Sequence, residues 1–188
     1  MRFEVSPNLI SAFYHEGETE LEGLFNEKQM EKLFKLLEKS GPIAERRDHF
    51  AKDPSWKKLL FGSGPSHIAS ALSKSPALQI GFDQVFLPGE LPEHFALAVG
   101  EHLEDGAKAI GSLSHMACGM MLSKEKCLFF HPNAILEAPG EPVLICCWII
   151  PGCRFAENRD DPLYAWLKKS GYSAGDVITP ETHPIVKK

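Results

Sequence analysis

Residues 112–151, SLSHMACGMMLSKEKCLFFHPNAILEAPGEPVLICCWIIP, decide the fold. Short apolar runs are cut by polar or Pro/Gly breaks, the pattern of strands joined by tight turns. The spacing predicts strands over Leu113–Leu122, Cys127–His131, Ala134–Ala138 and Val143–Ile150. Turns fall at Ser123–Lys126, Pro132-Asn133 and Pro139–Pro142. The run Val143–Ile150 fits a buried strand and is far short of the ~20 residues that span a bilayer.

Upstream, the period changes from two to that of a helix. Asn26 with Gln29 makes a capping box, and Met30, Leu33, Phe34 and Leu37 recur on one helical face until Gly41-Pro42. Residues 43–52 carry a run of charges and are expected to be exposed. Asp53-Pro54 opens a second helix, and Ser63-Gly64-Pro65 a third that ends before Pro76. Ala77–Leu87, ALQIGFDQVFL, reads as a long strand with a bulge at Gly81. Residues 93–105 fit either a strand with a loop or a short helix. Downstream, Asp161-Pro162 caps a last helix before a Pro-rich tail. Asp160-Asp161 reads as that cap rather than as a catalytic pair. The expectation is one domain over residues 1–188, helical over about 1–76 and β-rich over about 77–188. The class is α+β, built on a β-sandwich or barrel, with an antiparallel jelly roll packed by the N-terminal helices as the best fit.

The chain has 188 residues, 44% of them hydrophobic and 24% charged, ordinary for a globular protein with a full core. Net charge is −5 with scattered Lys and Arg, which argues against a nucleic-acid footprint. The opening MRFEVSPNLI lacks the apolar core of a signal peptide, and no run is long enough for a membrane span. With five cysteines and no CxxC, the expectation is reduced thiols in a cytoplasmic protein. Cys146 and Cys147 are neighbours in a strand and point to opposite faces, so they would not join Cys153 on one zinc ion. Cys127 and His131 would share a face but sit about 13 Å apart.

Five segments carry a family resemblance. They are GETELEGLFNEKQMEKLFKLLEKS, LQIGFDQVFLPGE, MACGMMLSKEKCLFF, ILEAPGEPVLICCWII and GYSAGDVITPETHPIV. Their order resembles the iron(II)/2-oxoglutarate-dependent dioxygenases, especially the phytanoyl-CoA dioxygenase-like branch. It is also similar to a group of chlamydial proteins that keep this fold without the metal ligands. The resemblance implies a double-stranded β-helix of the jelly-roll or cupin-like kind.

That family's chemistry needs a His-x-Asp/Glu pair and a distal His, which leave iron positions open for the co-substrate and oxygen. A basic residue then holds the 2-oxoglutarate carboxylate. The chain has one His-x-acid pair, His102-Leu103-Glu104. The distal ligand would be His131, about 27 residues beyond Glu104, or His183 in the tail. Arg154 or Lys126 would hold 2-oxoglutarate. Alignment on the core hairpin instead puts the His-x-Asp position at Ser112–His115 and the distal position at Gly152–Arg154. Neither carries the triad, and this alignment respects the strand pattern better. It implies a pseudoenzyme that binds a small molecule or a partner and has no iron or 2-oxoglutarate. Two alternatives stand beside it: an active dioxygenase, and an interaction module of unrelated α+β fold acting through an exposed edge or segment 43–52. Asp83, Gln84 and Arg154 are candidates to line a pocket. Exposed strand edges make a dimer an option.

Overall fold

In the computed structural model the capping box at Asn26 forms in both directions. Gln29 N donates to Asn26 Oδ1 (3.0 Å), and Asn26 N donates to Gln29 Oε1 (2.9 Å). The structure describes residues 4–39, 41–98, 107–159, 161 and 164–187, without the side chains of 165–167 and 187. The helix that follows the box, α2 (Glu27–Leu37), buries Leu33, Leu36 and Leu37. It follows α1 (Pro7–His15) and β1 (Glu18–Glu20). Next come the four-residue α3 (His49–Lys52), α4 (Pro54–Leu60) and α5 (Ser63–Leu72). Asp53 caps α4 by accepting from Ser55 N at 2.7 Å.

The strands are β2 (Leu78–Phe86), β3 (His94–Ala96), β4 (Lys108–Ala109), β5 (Met116–Leu122), β6 (Cys127–Phe130), β7 (Leu136–Glu137), β8 (Val143–Ile149) and β9 (Ile185–Lys187), with α6 (Tyr164–Lys169) before β9. Among the described residues they form a six-stranded sheet, β1-β6-β5-β8-β2-β9, and a three-stranded one, β4-β3-β7. Every pairing in the large sheet is antiparallel. The small sheet has one parallel pair, β3 with β4. The bulge expected in β2 lies where expected: the register to β8 shifts between Ile80 and Phe82, across Gly81.

Alternation sorts the large sheet into two cores. Leu144, Cys146 and Trp148 of β8 face the helices. Val143, Ile145, Cys147 and Ile149 face the small sheet, with Phe82, Phe95, Phe130 and Leu136. Cys146 and Cys147 therefore lie in different cores, as their adjacency requires. On the helical side Trp148 stacks on Phe129 and donates its indole N–H to Ser66 of α5 at 3.1 Å. That bond satisfies the polar atom such a residue brings into a core. Among the described residues no helix is long and apolar enough to cross a membrane.

Segment 43–52 corrects one expectation. Arg46, Arg47, Asp48, His49 and Phe50 are buried, not exposed. Charges are almost never fully buried without partners, and here the partners come from β2 and its exit. Arg46 makes a bidentate pair with Glu90 (2.6 and 2.5 Å) and donates to the carbonyls of Val85 and Gly41. Every nitrogen of that guanidinium is bonded, so Arg46 serves as a clamp on the fold.

Candidate functional site

Asp83 and Gln84 are neighbours on β2 and point to opposite faces. Asp83 turns toward the helices. Its carboxylate accepts from His49 N and Phe50 N, both at 3.0 Å, and meets His49 Nδ1 at 2.6 Å. It thereby caps α3, whose preceding residue Asp48 has the left-handed φ of 52°. His49 Nε2 is buried with no hydrogen-bond partner among the described residues.

Gln84 turns the other way, onto the face of Phe82. Arg47 meets it there, donating Nη1 to Gln84 Oε1 at 3.1 Å with its guanidinium 4.5 Å from the centre of the Phe82 ring. The same nitrogen lies 3.6 Å from Asp161 Oδ1, and Asp161 Oδ2 accepts from Ser112 Oγ at 2.7 Å. Arg47, Asp161 and Ser112 are all buried. This buried ionic chain is the candidate site.

Its position matters. The segments where hairpin alignment puts the family's ligands, 112–115 and 152–154, run side by side. Leu113 bridges Phe155, Ser114 N donates to the Arg154 carbonyl at 2.9 Å, and Ala156 N donates to the Ser112 carbonyl at 2.9 Å. The side chains there are Ser112 on Asp161, Leu113 and Phe155 in the inter-sheet core, and an exposed His115 bonded to Ser114 Oγ at 2.6 Å. These residues do not fit an iron held by two imidazoles and a carboxylate. The described carboxylate in this chain, Asp161, is committed to a hydroxyl and faces a guanidinium, whose charge opposes a cation. Among the described residues no group of three or more His, Cys, Asp or Glu is placed to hold a metal ion.

Of the other candidates, the described ones His131, Lys126 and Arg154 lie apart from this chain. His102 and Glu104 fall outside the described residues, as does Asp160. His131 packs on Phe13 and Tyr14 of α1, with ring centres 5.6 and 5.9 Å away, and burial holds its imidazole below the usual range. Lys126 is exposed in the β5–β6 turn. Arg154 is exposed and donates Nη1 to the Gly175 carbonyl at 2.6 Å. The five cysteines are free and buried, and burial pushes their thiols upward, Cys127 to about 12. Thiolate chemistry is disfavoured at all of them.

His183 joins the site from the tail. It lines a small cavity of about 50 Å³ with Asp48, Phe50, Tyr172 and Thr182, and its Nδ1 meets Thr182 Oγ1 at 2.8 Å. Burial and then Arg47 push His183 down to about 4. Burial pushes Asp48 up to about 6; Arg47, Lys52 and His49 act against that rise, and Asp83 adds to it. Folding therefore leaves Asp48 holding an extra proton between about pH 4 and 6, so its contribution to stability falls as pH rises. The unfolded chain holds the extra proton at His183 between about pH 4 and 6.5, so that contribution rises with pH. The two oppose each other over one window. Asp48→Asn is expected to show a urea midpoint that climbs from pH 4 to 6.5. His183→Gln is expected to show one that falls from pH 4 to 6, relative to the first. Parallel profiles for the two variants would refute the assignment.

The sequence matches no family model and, at a significant level, no curated protein. Solved structures do match. SnoK, a non-heme alpha-ketoglutarate-dependent carbocyclase from nogalamycin biosynthesis, superposes with a TM-score of 0.66 at 14% identity, over 98% of this chain and 97% of its own. SnoN, the non-heme alpha-ketoglutarate-dependent epimerase of the same biosynthesis, gives 0.63 at 10% identity over 96% and 98%. CT296 from Chlamydia trachomatis gives 0.53 at 19% identity over 79% and 98%. At these identities the likeness is one of fold: helices and antiparallel sheets arranged as in the non-heme alpha-ketoglutarate-dependent enzymes.

Proposed function

We propose that this chain is a non-catalytic binding protein, a single double-stranded β-helix domain that takes a small molecule or a protein partner in the cytoplasm without a complete iron site. One observation carries the reading. Where segment 112–115 runs beside 152–154, Ser112 bonds Asp161, and that carboxylate faces the Arg47 guanidinium, so the described carboxylate at the aligned position already has a cationic partner and no imidazole stands beside it. SnoN has been solved with Fe3+, alpha ketoglutarate and nogalamycin RO. An active dioxygenase with His102, Glu104 and His131 or His183 is therefore the rival.

Anaerobic titration with iron(II) and 2-oxoglutarate separates the two. The binding-protein reading expects no charge-transfer absorption in the visible range and no succinate on admitting air. A saturable band that disappears in His102→Ala would overturn it in favour of the dioxygenase.

A further inference from the structure

The chain is acidic overall, yet one face concentrates positive charge. A groove of about 710 Å³ lies between α2, α4 and the start of α5. Lys28, Lys32 and Lys35 line it from α2 and Lys58 from α4, against a single lining carboxylate, Glu31. Positions 28, 32 and 35 follow the i, i+4, i+7 stripe, so three ammonium groups share one helix face. Among the described residues none of the four lysines has a carboxylate within ion-pair distance. Like charges at i, i+4 destabilise a helix. A bound anion would relieve that cost.

The floor is apolar. Leu24, Phe25, Leu59 and Pro65 form it. The volume lies within the range of small-ligand sites. An aromatic platform for a nucleobase is missing at the rim, because Trp56 is covered by Lys32, whose ammonium sits 4.3 Å from the ring centre and donates to Ser55 at 2.6 Å. The groove thus offers apolar contact below and cations above. The α5 first turn at the far wall has no side-chain cap, so its N–H groups add to the same polarity.

We infer that the α2/α4/α5 groove binds an amphipathic small anion, an alkyl or acyl chain ending in phosphate or carboxylate. This gives the binding role proposed above a ligand class, and rests on that reading only to that extent. The groove lies on the helical layer and shares no residue with the Ser112–Asp161–Arg47 chain. The iron titration and the following test therefore fail independently.

The full chain, labelled with 15N, is titrated with decyl phosphate and separately with decanoate, both below their micelle concentrations. Saturable shifts are expected at residues 24–35 and 55–65. A phosphate preference identifies one head group and equal binding identifies the shared anionic chemistry, and each outcome supports the site. Lys28→Glu/Lys58→Glu is expected to weaken binding at least about tenfold, with an unchanged thermal midpoint because both side chains are exposed. Decyl maltoside, the uncharged counterpart, is expected to bind weakly to both forms. The proposal is overturned by shifts elsewhere, by no saturable shift, or by binding that ignores the charge reversal. It is equally overturned if only anionic vesicles bind and monomeric decyl phosphate does not, which would assign the groove to a lipid surface.

Discussion

Replacing Asp83 by alanine is expected to destabilise the protein by about 3–5 kcal/mol, the range for breaking a buried hydrogen-bonded pair by removing one partner. The carboxylate is fully buried and serves three donors at once: His49 N, Phe50 N and His49 Nδ1. Both residues that carry these donors are buried. Each orphaned group costs about 1–3 kcal/mol, and the imidazole already has one nitrogen unbonded. Local structure offers no reserve. The α3 helix is four residues long and enters from a residue at φ 52°, so it does not persist without its cap. Asp83→Asn keeps the shape and one acceptor oxygen, and about half the loss is expected. Urea unfolding followed by tryptophan fluorescence measures both. A cost for Asp83→Ala below about 1 kcal/mol would show that segment 43–52 is held by something other than this carboxylate.

This carboxylate also marks the limit of what the chain reveals when read in one dimension. The capping box at Asn26, the bulge at Gly81 and the split of Cys146 from Cys147 are all local, and all are legible, whereas α2 ends at Leu37, short of the stop expected at Gly41-Pro42. Each depends on residues within a turn or on strand alternation. Segment 43–52 is different. Its charges look like a solvated loop until their partners are known, and those partners are remote: Asp83 lies 34 residues from His49, and Glu90 lies 44 from Arg46. The available signal was in β2 itself. An acid inside LQIGFDQVF, with every residue of the strand buried, demands donors, and the richest unassigned donors are in RRDH.

The candidate site divides the same way. Matching the hairpin brought 112–115 and 152–154 to one place, because strand order carries that information. It did not supply Arg47 or Asp161, which enter from the N-terminal segment and from the approach to α6. Asp161 reads as a helix cap from its place before Pro162, and nothing local shows that its carboxylate faces Ser112 and Arg47. An ionic chain assembled from three distant segments leaves no spacing motif.

Gly119→Val is expected to cost about 3 kcal/mol, at the upper end for overpacking a core, because the interior between the sheets has no slack at β5. A Cβ on Gly119 would come 2.4 and 2.6 Å from the Phe130 ring and 2.6 Å from Leu97 Cδ1. Contacts below 3.0 Å force a neighbour to move. Phe130 and Leu97 are both fully buried, packed among Phe82, Phe95 and Ile145, so neither swings into open space. Valine adds two more methyls to the same crowding. The strain has a stated location, so a second substitution identifies it. Phe130→Leu shortens the ring that blocks the new Cβ and leaves a cavity by itself. In the double variant the cavity and the added bulk offset each other, and the combined loss is expected to be at least about 1 kcal/mol smaller than the sum of the single losses. Additive losses would place the strain elsewhere. At this point of β5 the inter-sheet face is closed to added bulk by Phe130 and Leu97, so the loss reports on their packing rather than on the backbone of the strand.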